Sequence, residues 1–250
     1  MITIVVPLGG TGKSFKDKDY TFPKPLIEIH GNPMIQWVIQ NLWLNQQHRF
    51  IFVVRQEDIA AYNLAAVLEL LAPGCEIVVM SQPTLGAACS VLLTIDHINN
   101  DDPLLIANGD QYILGSIQAG VDHFVKHRWD GGVFTFESVH PRWSFVKLEE
   151  GCVVEATEKR PISRHATCGL YYFRKGSDFV QAAMSMIRKQ GTIGDQYFVC
   201  PAYNELVLAR KKIGVFPVAN DHFFPLGTPE DIKEFETYVK STKKRATGRG

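Results

Sequence analysis

The chain has 250 residues, of which 46% are hydrophobic, and its 26 Lys and Arg are balanced by 26 Asp and Glu. This composition excludes a disordered chain, which needs low hydrophobicity and a high net charge. The zero net charge excludes a uniformly basic nucleic-acid-binding protein, and no apolar run approaches the ~18 residues of a membrane helix, so we expect neither a nucleic-acid partner nor membrane insertion.

Apolar runs alternate with helix-period segments through the first half of the chain. Strands are predicted at 2–6, 50–54, 76–80, 104–107 and 132–137, and helices at 33–46, 56–71, 87–98 and 116–128. Such a βαβα order is typical of a parallel sheet that is covered by helices on both faces. The sequence therefore predicts an α/β fold with a mostly parallel sheet.

The second half differs, because its strands are short and closely spaced. Strands are predicted at 145–148, 153–158, 169–173 and 213–218, and helices at 178–189, 197–212 and 229–240, with Pro201 bending the second of these helices. We expect short antiparallel additions to the sheet. Residues 241–250 are basic and almost free of apolar side chains, so we expect one domain over residues 1–240 and a disordered tail.

The cysteines and the start of the chain bear on its compartment. The five cysteines are widely spaced and form no C-x-x-C pair, and the apolar start MITIVVPL has no basic region before it. A secretory signal would begin with such a basic region. We therefore expect a cytoplasmic protein with reduced thiols.

A glycine-rich segment, PLGGTGKSF at residues 7–15, directly follows the first predicted strand. Gly9, Gly10 and Gly12 allow a sharp turn that brings backbone N–H groups against an anion such as phosphate. A P-loop would need glycine at Pro7, and a dinucleotide fingerprint would need glycine at Phe15, so neither motif is complete. A plain structural turn is the alternative interpretation.

Lys24 stands between two prolines ten residues later. Proline fixes its own φ and restricts the residue before it, so the backbone on both sides of Lys24 is stiff. The lysine is therefore expected to point in one direction. Together with the glycine-rich segment it predicts a clamp for a polyphosphate.

Residues 7–26 resemble the signature of the sugar-nucleotide pyrophosphorylases, a nucleotidyltransferase family with the pattern A-G-x-G-[ST]-R-[LF], a spacer and P-K-P-[LM]. Three more segments stand in the family's order: N-G-D at 108–110, E-K-R-P at 158–161 and L-G-T-P-E-D at 226–231. The resemblance covers about residues 2–235. It implies a Rossmann-like α/β fold related to that of nucleotide-sugar glycosyltransferases.

The resemblance also implies a reaction. A phosphorylated acceptor, expected to be a sugar 1-phosphate, attacks an NTP, takes up its NMP and releases pyrophosphate, giving an activated precursor for surface polysaccharide. The attacking phosphate oxygen is already anionic, so positioning and charge neutralisation supply most of the catalysis. Asp110, at the carboxyl end of the strand at 104–107, is expected to hold Mg²⁺.

Roles for the remaining residues follow from the same resemblance. Lys13 and Lys24 are the catalytic phosphate contacts, Lys13 replacing an arginine that the family has at the position of Ser14. The acceptor is expected to contact Lys24, Glu158, Lys159 and Gly169. Gln82 is expected to read the nucleobase. The nucleotide-binding residues are Leu8, Gly9, Gly10, Thr11, Gly12, Lys13, Gln82, Gly86, Asn108 and Gly109.

Two departures from the family pattern keep alternatives open. Pro225 occupies the place of a second metal-binding aspartate, which Asp221, or else Asp195, is expected to replace, and Trp143-Ser144 replaces an aromatic-Gly pair. A CTP-dependent cytidylyltransferase acting on a non-sugar phosphate is therefore an alternative. So is a glycosyltransferase, although Asp110-Gln111-Tyr112 lacks its D-x-D, and so is a non-enzymatic nucleotide-binding subunit. The nucleobase, the acceptor and an oligomeric state are left open.

Overall fold

The computed structural model describes residues 1–10, 12, 15 and 20–247, with side chains to residue 242. Thr11 and Lys13, two of the expected nucleotide contacts, lie outside the described residues. The strands are β1 Ile2–Pro7, β2 Glu28–Ile29, β3 Asn32–Pro33, β4 His48–Arg55, β5 Glu76–Met80, β6 Leu104–Ala107, β7 Gln111–Ile113, β8 Gly131–Glu137, β9 Ser144–Glu149, β10 Cys152–Glu158, β11 His165–Phe173, β12 Ile213–Pro217 and β13 Phe223–Pro225. The helices are α1 Met34–Leu42, α2 Gln56–Tyr62, α3 Leu64–Leu71, α4 Ala87–Leu92, α5 Ile95–Ile98, α6 Ile117–Lys126, α7 Gly176–Arg188, α8 Tyr203–Leu208 and α9 Pro229–Thr247.

The main sheet is mixed and has the strand order β10-β9-β11-β6-β1-β4-β5. Its first half is parallel, because β1 pairs with β4 and β6, and β4 pairs with β5. The long strand β11 runs antiparallel to β6 and β9 along one edge and to β8 along the other. This arrangement confirms the α/β fold, with antiparallel strands added in the second half.

The core lies on both faces of this sheet. Along β1 the side chains alternate, so that Ile4 and Val6 join one buried cluster and Val5 joins the other. Parallel strands covered on both faces are hydrophobic throughout, which explains the unbroken apolar run at the start of the chain. No helix within the described residues is long and apolar enough to cross a bilayer.

Several predicted helices are shorter than their sequence patterns. The helix expected at 56–71 is two helices, since Asn63 takes a left-handed conformation with φ of 53°, which asparagine tolerates. The helix expected at 87–98 also divides, near Thr94, whose hydroxyl donates to the carbonyl of Val91. At 197–212 only Tyr203–Leu208 is α-helical, after a 3-10 turn that contains Pro201.

The last helix runs past its expected end. α9 continues to Thr247, so the boundary expected at residue 240 falls inside a helix. Lysine, arginine and alanine are good helix formers, and no glycine or proline occurs in the segment 241–247. Residues 248–250 lie outside the described part of the chain, and the single-domain organisation stays a prediction.

Two strands that the sequence pattern did not indicate form a small antiparallel sheet. β7 pairs with β13, which places Pro225 opposite Gln111 and Phe223 opposite Ile113. The pairing brings the segment after Asp110 against a segment more than a hundred residues later in the chain. It therefore closes one side of the site that Asp110 occupies.

Candidate active site

A cleft opens at the edge where β1 and β6 end. It has two communicating arms, the large arm with a volume of about 660 Å³ and the small arm with about 250 Å³. The large arm is bordered by the glycine-rich segment, and the small arm by β9, β13 and the start of α9. The residues that line both arms are Asn108, Asp110, Ser144, Glu158 and Tyr171. The carboxyl edge of parallel strands is where α/β proteins bind ligands.

The glycine-rich segment forms one wall of the large arm. Leu8 is buried, and its N–H donates to the carbonyl of Val53 at 2.8 Å, which ties the segment to the sheet. A Cβ on Gly9 would lie 2.8 Å from the Met80 methyl, whereas one on Gly10 would meet nothing within 4 Å. A side chain at Gly9 would therefore displace the flexible end of Met80, whereas Gly10 leaves open space at the cleft.

Lys24 and Asp110 meet at the junction of the two arms. The Nζ atom of Lys24 lies 2.5 Å from Oδ2 of Asp110, and the two side chains are 20% and 30% exposed. Lys24 opens the 3-10 turn Lys24–Leu26, whose Pro25 is buried. The stiff backbone around the lysine therefore aims its charge into the cleft, as the sequence predicts.

Two glycines lie where the surroundings of Asp110 are closely packed. A Cβ on Gly109 would lie 2.4 Å from a methyl of Leu8. Gly169 has φ of 74°, and a Cβ there would lie 2.3 Å from Oε1 of Gln111. The carbonyl of Asp110 accepts a hydrogen bond of 2.7 Å from the N–H of Leu226. These contacts hold the backbone of Asp110 in place from both sides.

Glu158 is a buried carboxylate that lines both arms, with only 8% of its surface exposed. It faces Ser144 across the β9–β10 pair, and Oγ of Ser144 donates to its Oε2. Burial raises the pKa of Glu158, while the Ser144 hydrogen bond and the charge of Lys159 act in the opposite direction. Tyr171, also buried, shares a hydrogen bond of 3.0 Å with Thr167.

Arg142 and Asp231 close the small arm, and neither is among the site residues predicted from the sequence. Nη2 of Arg142 lies 3.0 Å from both carboxylate oxygens of Asp231. The guanidinium carbon lies 4.1 Å from the ring centre of Trp143. Asp231 is the last residue of the G-T-P-E-D segment, so that motif could have indicated it as a site residue. Its contact with Arg142 is visible only in the fold.

Three predicted residues lie at or beyond the edge of the cleft. Gln82 and Asp221 are exposed and are not among the described residues that line either arm. Lys159 is also exposed, and its Nζ lies 5.2 Å from the ring centre of Phe198, a residue of the large arm. The assigned roles of these three residues stay predictions.

Gly86 lines the large arm, but its own backbone environment already requires glycine. Its φ is 108°, and a Cβ would lie 2.5 Å from the carbonyl oxygen of Tyr197. This backbone contact is a structural reason for glycine at this position, and the assignment of Gly86 as a nucleotide-binding residue stays a prediction. Tyr197 belongs to a segment that also brings Gln196 and Phe198 to the large arm.

The carboxylates of the cleft are distributed and do not form a cage. Within the described residues no three His, Cys, Asp or Glu side chains are grouped for a metal ion. A Cβ on Gly227 would lie 3.6 Å from Oδ2 of Asp110 and 3.6 Å from Oδ2 of Asp231, yet Asp231 is paired with Arg142. Among the described residues Asp110 and Glu158 are the carboxylates that line both arms, and Asp110 is paired with Lys24. A Mg²⁺ ion takes one or two carboxylates and completes its shell with phosphate and water, so Asp110, the less buried of the two, fits such an ion.

Comparisons with known proteins find relatives of low sequence identity. Over 239 residues the chain is 22% identical to the bifunctional protein GlmU of Methanocaldococcus jannaschii, with coverage of 94% of this chain and 53% of that protein. The chain spans about half the length of the curated relatives it matches.

Solved structures share the fold. The nucleoside-diphosphate-sugar pyrophosphorylase of Vibrio cholerae RC9 has a TM-score of 0.80 at 22% identity, covering 95% of this chain and 100% of that one. The inositol-1-phosphate CTP transferase of T. maritima has a TM-score of 0.74 at 15% identity, covering 95% and 96%. Residues 4–205 match the sequence model of the family described as Nucleotidyl transferase. With that match over most of its length, the chain belongs to the nucleotidyl transferase family.

Proposed function

We propose that this enzyme joins the NMP of an NTP to a phosphorylated small molecule and releases pyrophosphate. The observation that carries the proposal is the meeting of two arms at the Lys24–Asp110 pair. The large arm, with its glycine-rich wall, suits a nucleoside triphosphate. The small arm, with its buried polar side chains, suits the body of an acceptor. An acceptor phosphate at the junction would then face the α-phosphorus.

The chemistry needs little from the protein beyond position and charge. A phosphate monoester is already anionic near neutral pH, so its oxygen attacks without a general base. The barrier lies in bringing two anions together in line, and a lysine at the junction lowers it by neutralising their charge. The Lys24 side chain is only 20% exposed, so water screens its charge less than that of a surface lysine.

Magnesium is part of the proposal. Asp110 would hold the ion at the junction together with oxygens of the triphosphate, and the bound ion would offset charge on the phosphates. Asp110→Asn keeps the shape of the side chain and removes its charge. We expect this variant to lose nearly all turnover across a Mg²⁺ titration, whereas NTP binding without metal changes little, because the carboxylate itself repels phosphate.

The control for that variant is Asp101→Asn, which removes a carboxylate that is 79% exposed and pairs with Lys175 away from the cleft. Its turnover should match the unmodified enzyme. Ordinary turnover by Asp110→Asn at ordinary Mg²⁺ would show that Asp110 is a turn residue, and that the ion, if needed, is held elsewhere.

A sugar 1-phosphate is the first acceptor that we propose, for an activated precursor of surface polysaccharide. The small arm combines Glu158, Arg142 and Asp231 with the ring of Trp143, a set that can accept and donate hydrogen bonds to a polyhydroxylated ring. A CTP-dependent reaction with a non-sugar phosphate is the second candidate. It is favoured by the Ser144 hydroxyl, which occupies hydrogen-bonding capacity of Glu158 that a sugar could otherwise use.

The test is pyrophosphate release by the purified protein. Each common NTP is combined with Mg²⁺ and with sugar 1-phosphates, phosphocholine or an inositol phosphate, and the product mass is measured. We expect release only when NTP, Mg²⁺ and a phosphorylated acceptor are all present. Transfer from an NDP-sugar to an alcohol without pyrophosphate would support a glycosyltransferase instead, and nucleotide binding without any transfer would support a regulatory subunit.

A further inference from the structure

Two of the side chains that line both arms of the cleft, Ser144 and Glu158, share a hydrogen bond. Ser144 opens β9 and Glu158 ends β10, and the two residues are direct partners across the antiparallel pair. Oγ of Ser144 donates to Oε2 of Glu158. The partners are thus fixed by the register of two strands, and not by a loop. A carboxylate in such a position has a preferred rotamer.

The second oxygen of Glu158 is placed differently. Within the described part of the chain no donor forms a hydrogen bond with Oε1. Oε1 is also not fully buried, so part of its surface is accessible to solvent. It is therefore open to the cleft that Glu158 lines. One carboxylate oxygen accepts a hydrogen bond from the protein, and the other accepts none from the described residues and is available to a ligand.

We propose that Ser144 is a positioning residue that turns Oε1 of Glu158 toward the acceptor, so that the acceptor is recognised through a hydroxyl or amine donor at that oxygen. The proposal rests on the proposed function, because it takes the small arm as the acceptor site. It adds a specificity determinant. Because Ser144 already donates to Oε2, Glu158 suits an acceptor substrate that donates one hydrogen bond, to Oε1. An acceptor substrate with two neighbouring hydroxyls would form weaker hydrogen bonds with this carboxylate than with one whose oxygens are both free.

The electrostatic surroundings of Glu158 make the role measurable. Lys159 follows it on the chain, Tyr171 faces it from β11, and Cys200 faces it from the 3-10 turn Cys200–Ala202. Asp110 lines the same arms. The Ser144 hydrogen bond lowers the pKa of Glu158 against the effect of burial, so its loss moves the pKa of that carboxyl further up.

The experiment compares Ser144→Ala with Ser144→Thr, which keeps a hydroxyl. We expect Ser144→Ala to raise KM for the acceptor on the order of tenfold, with kcat and KM for the NTP changed much less. The acid limb of the profile of kcat/KM against pH should move to higher pH. Ser144→Thr should restore both quantities in large part. Ser163→Ala, which removes a hydroxyl bonded to the carbonyl of Val146, is the matched control and should change neither.

A second measurement does not depend on turnover. The side-chain carboxyl carbons of glutamate are labelled with ¹³C, and Glu158 is assigned by comparison with Glu158→Gln. We expect its titration midpoint to be higher in Ser144→Ala than in the unmodified protein. Equal midpoints, or an unchanged acceptor KM in an active Ser144→Ala enzyme, would overturn the positioning role. If the midpoint shifts but the unmodified protein turns over no acceptor substrate, the hydrogen bond does affect the pKa of Glu158 and the proposed function is wrong.

Discussion

At the scale of single residues, the Lys24–Asp110 pair places two opposite charges side by side in the cleft. The lysine attracts phosphate, and the carboxylate attracts a cation while repelling phosphate. Their contact of 2.5 Å lets each satisfy the other before any substrate arrives. A partly exposed pair of this kind contributes little to folding. Under the proposed function its importance lies in what each charge does once a substrate is bound.

Lys24→Ala tests the first of these charges. We expect kcat/KM to fall on the order of a hundredfold or more, since a cation that meets a transferring phosphate lowers the barrier by several kcal/mol. Thermal unfolding should change little. Lys147→Ala is the control, because Lys147 is a 47% exposed lysine that pairs with Glu149 on the surface. Unchanged kinetics for Lys24→Ala would remove the phosphate-clamp assignment.

Burial of the Glu158 carboxylate opposes its ionisation and so lowers the stability of the folded protein at neutral pH. Its folded-state pKa is raised by burial, so the folded state favours the protonated carboxyl, and that stabilisation is lost as pH rises from the ordinary value of 4.5 through the folded pKa. Glu158→Gln has no charge to bury. We expect its melting temperature to exceed that of the unmodified protein at neutral pH, and the difference to shrink at pH below the ordinary value.

The same variant should bind its acceptor less well, with KM raised on the order of tenfold because a charged hydrogen-bond acceptor is replaced by a neutral one. Calorimetric melting across pH and acceptor kinetics provide the two measurements. Glu149→Gln, on the same strand pair but with a side chain that is 62% exposed, is the control. A Glu158→Gln protein that is less stable than the original at neutral pH would contradict the assignment of burial as the dominant cause.

At the scale of elements, two segments that are far apart in sequence build the large arm together. The N–H of Tyr197 donates to the carbonyl of Leu85 at 2.7 Å, and the N–H of Ala88 donates to the carbonyl of Tyr197 at 3.0 Å. These bonds dock the segment that carries Gln196 and Phe198 onto the start of α4. The shape of the large arm therefore depends on a close backbone contact at Gly86.

Gly86→Ala should break this docking. The new Cβ would lie 2.5 Å from the carbonyl oxygen of Tyr197, in a backbone with φ of 108°, so both sterics and strain oppose it. Gly151→Ala is the matched control, because Gly151 also has a positive φ, 78°, but open space around it. Denaturant unfolding should show a loss of about 1–2 kcal/mol for Gly151→Ala and a larger loss for Gly86→Ala, with KM for the NTP raised only in the latter. Equal losses would mean that the contact with Tyr197 yields easily.

At the scale of the whole molecule, the cleft joins the two halves of the sheet. The parallel half supplies the glycine-rich segment and Asp110, and the antiparallel half supplies Ser144, Glu158 and Tyr171. A ligand that touches both halves binds the folded chain and has no site in the unfolded one. Ligand binding should therefore stabilise the entire domain and not only one edge of it.

Measuring the melting temperature with each of a panel of NTPs tests whether nucleotide binding stabilises the domain, and it shows which nucleobase the protein prefers. At a concentration of 100 Kd, a ligand adds about 2.7 kcal/mol to the free energy of unfolding, which corresponds to a rise in Tm of ~5–10 °C for a chain of this size. We expect one NTP to give the largest shift. Equal shifts for all NTPs would show that the base is not read, and the absence of any shift would exclude the large arm as the nucleotide site.

The sequence by itself determined the elements whose signal is local. The parallel strands β1, β4, β5 and β6 follow from runs of apolar residues, and the Pro-Lys-Pro segment and the N-G-D at a strand end identified Lys24 and Asp110. The strands and the stiff Pro-Lys-Pro segment need only side-chain period and chain stiffness, whereas the role expected of the N-G-D segment is what the family resemblance implies. Helix ends were less predictable, because breaks at Asn63 and Thr94 depend on single residues within a continuous helical pattern.

Only the tertiary structure decided how distant segments meet. The β7–β13 pair, the Arg142–Asp231 contact and the Tyr197 backbone over Gly86 join positions separated by about ninety residues or more. No local periodicity encodes such contacts, since they arise from the packing of strands and loops that are each determined elsewhere. The same reason explains why Asp231 lies at the small arm and Asp221, which is closer to Pro225 in the sequence, does not. Asp231 is on the first turn of α9 and faces Gly227, whereas Asp221 is on an exposed 3-10 turn.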